Sequence, residues 1–274
     1  MTSNKNNVFD GKKLASQILD DIKKELVDKS LKLAVVFAGN NTSSALFIKN
    51  KQKACEKVGI KIGVHLVSST NIIKKIKQLN ESDVSGIIVQ LPLPESIDTS
   101  DVLKTIDPKK DVDCLTPENM GHLFSEKEKI LPCTPAGILE ILKHEKIRLK
   151  GKNVVIVNHS VIVGKPLALM LLNRNATVSI CHEFTKNLGA FTKNADIVIS
   201  ATGVPNLIKA DMIKENAIVI DAGIKISEKI LGDVDFENVK DIASLITPVP
   251  GGVGPMTVAM VIRNTYLLYK NSLL

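Results

Sequence analysis

Apolar positions along the chain switch between two spacings. Residues 10–29 place Leu14, Ile18, Ile22 and Leu26 four apart, which predicts an amphipathic helix with Asp10 as its cap. LKLAVVFAG (31–39) is a short apolar run ending in glycine, as a buried parallel strand would be. A helix is predicted from about Ser44 to Lys57, stopping at Gly59. Strand 61–68, helix 71–79, strand 86–91 and a helix near 99–106 follow. Such alternation predicts βαβ units on a parallel sheet.

The pattern breaks between residues 107 and 135. DPKKDVDCLTPENMG and LPCTPAG are rich in Pro, Asp and other turn formers, and the domain junction is placed here. A helix from about Thr134 to His144 opens a second alternating series. Its strands are NVVIVN (153–158), TVSICH (177–182), DIVIS (196–200) and AIVIDAG (217–223), with a helix from Gly164 to Leu172. TPVPGGVGP (247–255) reads as a loop, and Met256 to Lys270 as a last helix. The fold class is therefore α/β, with two α/β domains, the second of Rossmann type. The boundaries are 1–130 and 131–255.

Composition narrows the function classes. With 44% hydrophobic and 24% charged residues in 274, the chain has ample material for a core. No apolar run approaches the ~18 residues of a membrane span. MTSNKNNVFDGKK lacks the apolar region of a secretory leader, so the expected location is the cytoplasm. The formal charge is +7, but only Arg148, Arg174 and Arg263 are arginine, aromatics are 3% and Trp is absent. The lysines are spread along the chain, which argues against nucleic acid. They read as a solvated surface, or as a field that attracts an anionic small molecule. Cys55, Cys114, Cys133 and Cys181 form no CxxC pair, so neither zinc nor a redox motif is expected.

NVVIVN runs into HSVIVGKPLALMLL, the place where a dinucleotide fold keeps its phosphate loop. A helix starting at Gly164 would offer unpaired N–H groups and a positive dipole end to a pyrophosphate. The GxGxxG fingerprint itself is absent, with Asn158 where its first glycine would stand. Glu183 ends the next strand, where an acid accepts from the ribose hydroxyls of NAD and repels the 2′-phosphate of NADP. An ordinary strand–loop–helix with a solvated carboxylate would read the same way.

Eight segments together resemble the bifunctional methylenetetrahydrofolate dehydrogenase/methenyltetrahydrofolate cyclohydrolase family. They are SALFIKNKQKACEKVGI (44–60), GIIVQLPLP (86–94), KDVDCLTPENMG (110–121), PCTPAG (132–137), SVIVGKP (160–166), CHEFTKNL (181–188), IVIDAGI (218–224) and TPVPGGVGPMTVAM (247–260). The resemblance implies a folate-binding catalytic domain and a nicotinamide-binding domain with a cleft between them. It also implies a last helix, 256–274, packing back on the first domain, and a homodimer. The implied chemistry is oxidation of 5,10-methylenetetrahydrofolate by NADP, then hydration of the methenyl cation to 10-formyltetrahydrofolate. Carried over by motif, Lys51, Gln90 and Asp113 are the catalytic candidates. Phe47, Pro250 and Gly251 are candidates for substrate binding. Asn158, His159, Ser160, Gly164, Glu183, Ile224, Gly252 and Gly254 are candidates for the cofactor, and no metal is implied. A lysine beside a cationic substrate has its charged form disfavoured, which suits proton transfer near neutral pH. Gln90 can hold that lysine, and ionised Asp113 can accept from the pterin's ring donors. The 251–254 glycines suit close approach of backbone to a ligand.

The sequence departs from the family pattern in three places. Phe47 stands for a tyrosine, keeping an aromatic face but losing a hydroxyl one helical turn from Lys51. Cys114 stands for a glycine and would be strained if that position had positive φ. Asn158-His159-Ser160 and Glu183 lack the cation that relatives aim at the 2′-phosphate. Two like charges ~4 Å apart repel by ~4 kcal/mol at an effective dielectric of 20, and half of that is more than tenfold in affinity. NADP is the family default, and weakened NADP binding or an NAD preference is the expectation here. A descendant with one of the two activities, or a non-catalytic folate- or nucleotide-binding protein, is the alternative that these departures leave open.

Overall fold

The computed structural model describes residues 7–39 and 42–273, with the side chains of residues 42–44 outside the description. The leader reading on residues 1–6, the Ser44 side chain and Leu274 lie outside the described residues. The chain divides into two compact units, residues 15–133 with 258–274, and residues 1–14 with 134–257. The boundaries fall inside the first helix, at the start of the sixth and inside the last.

In chain order the first half contains α1 (Gly11–Glu25), β1 (Lys32–Ala38), α2 (Thr42–Val58), β2 (Lys61–Val67), α3 (Ile72–Asn80), β3 (Gly86–Val89), α4 (Thr99–Leu103) and α5 (Pro117–Phe124). β1, β2 and β3 form a parallel sheet in the order β2-β1-β3. β1 and β3 are buried almost throughout, as a parallel strand covered on both faces must be. β2 lies at an edge, and none of its seven residues is buried. Asp10 caps α1 through its carboxylate, which accepts from the Lys13 N–H at 3.0 Å. Gly59 ends α2 with φ +85°, the left-handed turn that closes a helix.

The segment read as the domain junction contains α5. Thr116 caps it and Pro117 occupies its first position. The buried Asp111 carboxylate accepts from the Thr116 N–H at 2.8 Å and from Asn119 Nδ2 at 2.9 Å. Residues 110–112 lie along β3, with Ile87 donating to the Lys110 carbonyl and Val112 to the Ile87 carbonyl. This pairing fixes where Asp113 emerges. In the last helix, Asn264 Nδ2 donates to the Val112 and Leu131 carbonyls, both at 2.8 Å.

The second half contains α6 (Cys133–His144), β4 (Asn153–Val157), α7 (Gly164–Leu172), β5 (Thr177–Cys181), α8 (Leu188–Thr192), β6 (Ile197–Ser200) and β7 (Ile218–Asp221). A two-residue hairpin of β8 (Lys225–Ile226) and β9 (Ile230–Leu231) follows, then α9 (Phe236–Val239), β10 (Leu245–Ile246) and α10 (Val253–Asn271). β10-β7-β6-β4-β5 form a parallel five-stranded sheet. Counted within this unit the order is 2-1-3-4-5, whose switch point lies between β4 and β6. Val155, Val157, Val198, Val219 and Ile246 line one side of its core. Residues 7–9 add to the outer edge. The Phe9 N–H donates to the Ile246 carbonyl and the Ile246 N–H to the Asn7 carbonyl, each at 2.9 Å. This pairing puts the N-terminal segment, read from sequence as part of a 1–130 domain, with residues 134–257.

Candidate functional site

In the first unit, α2 carries Phe47, Lys51 and Cys55 at four-residue intervals on one face. Lys51 is 7% exposed and its Nζ donates to Gln90 Oε1 at 2.9 Å. Gln90, also 7% exposed, follows β3 directly, and its Nε2 donates to the Leu91 carbonyl at 3.0 Å. The amide is thereby oriented, with its oxygen toward the lysine. Phe47 is half-buried one turn away.

Asp113 is half-buried beside the Cys133 thiol. Burial pushes the Cys133 thiol well above its ordinary range, the Asp113 carboxylate adds to that, and the Lys51 ammonium opposes it. The three groups therefore share one electrostatic neighbourhood. Burial likewise pushes the Cys55 thiol up to about 12, against the pull of Lys51. Sequence reasoning did not single out Cys133. Its position in PCTPAG, one of the matched motifs, was the available signal. Thiols held this far up stay protonated at neutral pH, so neither is a thiolate nucleophile. Cys114 adopts φ +57°, fulfilling the condition under which a side chain there is strained.

In the second unit the loops after β4, β5, β6 and β7 emerge from the same edge of the sheet. Asn158, after β4, organises the first. Its Oδ1 accepts from the Ser160 N–H at 2.8 Å, the Ser160 hydroxyl at 2.8 Å and the Gly164 N–H at 3.0 Å. Its Nδ2 donates to the Ala201 carbonyl at 2.6 Å across the switch point. The Val163 N–H goes to Ser160 Oγ, and the Lys165 N–H to the Ser160 carbonyl. Pro166 has no N–H. The expectation of unpaired N–H groups at the start of α7 is therefore corrected, because Asn158 and Ser160 satisfy them from within the loop. Gly164 is required by packing, since a Cβ there would lie 2.1 Å from the Asn158 carbonyl oxygen.

His159 and Glu183 are exposed and face each other, Nδ1 to Oε2 at 3.6 Å, with the His182 ring 5.0 Å from that of His159. Exposed Val161, Val204 and Ile224 supply apolar surface on the loops after β4, β6 and β7. Apolar surface for a planar ring, with an acceptor beside it for ribose hydroxyls, fits a nicotinamide dinucleotide.

The glycine-rich stretch 251–254, read as loop, runs into the start of α10 at Val253, and its own turn also calls for glycine. Gly251 has φ +117°. A Cβ on Gly252 would meet the Pro248 carbonyl oxygen and the Thr247 side chain at 2.7 Å, so the loop's own turn fills that space. Gly254 faces open space, and Pro250 is exposed. Among the described residues there is no group of three His, Cys, Asp or Glu that could hold a metal. Nor is any helix among them long and apolar enough to cross a membrane.

Comparison with known proteins matches both halves. Residues 9–113 match the catalytic domain of tetrahydrofolate dehydrogenase/cyclohydrolase, and residues 132–273 its NAD(P)-binding domain. The bifunctional protein FolD of Aquifex aeolicus is 53% identical over 276 residues, covering 96% of this chain and 95% of its own. The crystal structure of the Campylobacter jejuni FolD dehydrogenase/cyclohydrolase superposes with a TM-score of 0.93 at 45% identity, covering 97% of this chain and 99% of that one. The Trypanosoma brucei FolD, complexed with NADP and an inhibitor, gives 0.93 at 33% identity, with 97% and 98% covered.

Proposed function

The chain belongs to the tetrahydrofolate dehydrogenase/cyclohydrolase family and has both of its activities, and we propose that Lys51, Gln90 and Asp113 carry the folate chemistry. The enzyme oxidises 5,10-methylenetetrahydrofolate to the 5,10-methenyl cation with NAD(P), then hydrolyses the cation to 10-formyltetrahydrofolate. The observation that supports the residue assignment is the buried Lys51–Gln90 hydrogen bond of 2.9 Å beside the Asp113 carboxylate and the Cys133 thiol.

When bound, the dinucleotide supplies the acceptor for the hydride. The remaining work is done by side chains. Asp113 accepts from the pterin's N–H donors and fixes the folate. Phe47 presents its ring to the same heterocycle. Gln90, held by the Leu91 carbonyl, fixes the Lys51 amine. Hydration requires a proton to leave the attacking water and a proton to reach the folate nitrogen whose bond to the one-carbon unit breaks. Lys51 carries that proton from one site to the other. For Pro250 and Gly251 the support is the resemblance of TPVPGGVGPMT alone. Replacing Lys51 by Met tests the assignment. Hydration is expected to fall at least a hundredfold, and an unchanged rate would remove Lys51 from the mechanism.

On the cofactor side, Asn158, Ser160 and Gly164 shape the loop, and Ile224, Gly252 and Gly254 are carried as contacts. NADP is the family default. The His159–Glu183 pair keeps a carboxylate beside the loop, and its charge opposes a 2′-phosphate, so NAD is used as well or preferred. Steady-state rates with each cofactor test this. Glu183→Gln is expected to raise kcat/KM for NADP relative to NAD at least tenfold, and a clear NADP preference in the parent enzyme would overturn the reading. The resemblance also supports a homodimer, which light scattering measures, and a cytoplasmic location.

A further inference from the structure

Asp233 is completely buried, and no part of the folate or cofactor chemistry above uses it. Four donors converge on its carboxylate. Oδ2 accepts from the Ser200 hydroxyl at 2.7 Å, the Thr202 N–H at 2.5 Å and the Thr202 hydroxyl at 2.9 Å. Oδ1 accepts from the Gly203 N–H at 2.8 Å. Ser200 ends β6, and Thr202 and Gly203 begin the loop after it. The Asp233 N–H donates in turn to Asp221 Oδ1 at 3.1 Å, and the same oxygen accepts from the Gly223 N–H at 2.9 Å. Asp221 ends β7, and Gly223 lies in the loop after it. One short segment therefore ties the loops after two adjacent strands. The packing leaves no slack, since a Cβ on Gly223 would lie 1.9 Å from Asp233 Oδ1, and one on Gly232 2.1 Å from Asp221 Oδ2. The two loops also meet each other, with the Ile224 carbonyl oxygen 3.4 Å from where a Gly203 Cβ would be.

A strand end needs no buried carboxylate for its own stability. Apolar residues fill such positions elsewhere in this sheet, and burying a charge carries a desolvation cost that only saturated hydrogen bonding offsets. The tie sits where backbone N–H groups have left the sheet ladder, on the edge where open α/β sheets bind ligands. We infer that Asp233 is a positioning residue for the dehydrogenase reaction. It sets the shape of the loops after β6 and β7, so that Gly203, Val204 and Ile224 present a preformed surface to the nicotinamide dinucleotide. Preorganisation of this kind acts on cofactor affinity, because a loop ordered beforehand has less entropy to lose on binding. The inference rests on the proposal that these two loops seat the dinucleotide.

The bifunctional enzyme contains its own control, because hydration of the methenyl cation consumes no nicotinamide. In Asp233→Asn one carboxylate oxygen becomes an amide NH₂, which faces a backbone N–H in either orientation. The expected result is a KM for NAD and for NADP raised at least tenfold, with the cyclohydrolase rate of the same preparation within twofold of the parent. If both activities fall together with the melting temperature, the role is structural only and the inference is overturned. It is overturned equally if the cofactor KM stays within twofold. Should Asp233→Asn fail to fold, the Ser200→Ala/Thr202→Val double variant removes two donors and keeps the carboxylate. A threefold or greater rise in cofactor KM then supports the inference, and a smaller change overturns it. Ile224→Asp separates this inference from the proposal beneath it. An unchanged cofactor KM there means the loops do not seat the dinucleotide, whereas a raised KM beside a normal Asp233→Asn enzyme removes only the role of Asp233.

Discussion

Cys114 sits at φ +57° with its side chain fully buried and its thiol 3.4 Å from the Ile130 carbonyl oxygen. A left-handed backbone costs a residue bearing a Cβ about 1–2 kcal/mol, while the buried thiol contributes packing of similar size. Cys114→Gly is therefore expected to lie within about 1 kcal/mol of the parent in a denaturant titration. Cys114→Val keeps the backbone cost, adds branching that the region tolerates poorly and loses the hydrogen bond, so a loss of more than about 2 kcal/mol is expected. Equal stabilities for the two variants would show that the backbone at 114 relaxes. The position could be flagged from the sequence because a motif normally carrying glycine carried cysteine, but its φ could not.

Asp221 illustrates what single positions hide. Burial raises its carboxyl from 3.8 to about 6, with Asp233 adding to the rise and the N–H groups of Val234, Asp233 and Gly223 opposing it. The folded chain holds this proton more tightly than the unfolded chain. Stability is thus favoured below about pH 4 and falls as pH rises through 6, by up to about 3 kcal/mol from this group. Asp111, also raised by burial, contributes with the same sign. Asp221→Asn is expected to flatten the slope between pH 4 and 6 in a melting series, whatever it does to the absolute midpoint. In the sequence Asp221 is one carboxylate at the end of an apolar strand. Its neighbour Asp233 lies on another segment, and only the folded sheet brings the two together.

At the scale of elements, periodicity located every strand of four or more residues and the long helices, because their apolar spacing is local information. Of the shorter elements, α4 was placed near 99–106, whereas α5, α8, α9 and the two-residue strands were not visible. α5 depends on the Asp111 carboxylate holding Thr116 and Asn119, and its eight residues lie in a stretch dominated by Pro and Asp. β10 has two residues and exists because β7 and residues 7–9 flank it. The start of α7 shows the opposite failure. The helix was placed correctly, but the state of its N–H groups was not, because Asn158 answers them through a loop whose geometry the sequence did not reveal. This makes Gly164 a sharp test. A methyl group there would meet the Asn158 carbonyl oxygen at 2.1 Å, so Gly164→Ala is expected to lower stability by more than about 2 kcal/mol and to weaken dinucleotide binding, read by calorimetry. A normal melting curve would mean that the loop can move aside.

At the scale of the molecule, the two reactions follow one another on the same folate but differ in what they need. The Lys51 region lies in residues 15–133 with 258–274, and the loops after β4, β5, β6 and β7 in residues 134–257. Lys51→Met is expected to abolish hydration while leaving the dissociation constant for the dinucleotide within twofold, measured by fluorescence of the reduced cofactor. A change in both would mean that the substitution disturbs more than the Lys51 side chain. The proposed catalytic residues Lys51, Gln90 and Asp113 could be nominated from sequence because each falls inside a long motif, and the fold shows Lys51 and Gln90 in contact. Cys133 was overlooked although it lies inside one, because a lone thiol in a turn-rich stretch carries no chemistry of its own in the sequence.

The pairing of residues 7–9 with β10 has a bearing on how the chain is made. Asn7 donates to the Lys240 carbonyl, a partner 233 positions away. Synthesis runs from the N-terminus, so this stretch leaves the ribosome long before β10, and its place is ready only once residues 240–246 have been made. Until then the rim of the five-stranded sheet stays open, and such an open rim is a site where other nascent chains can attach. The enzyme thus closes a ring that runs from residue 7 to residue 246, an entropically demanding event for so small a number of hydrogen bonds.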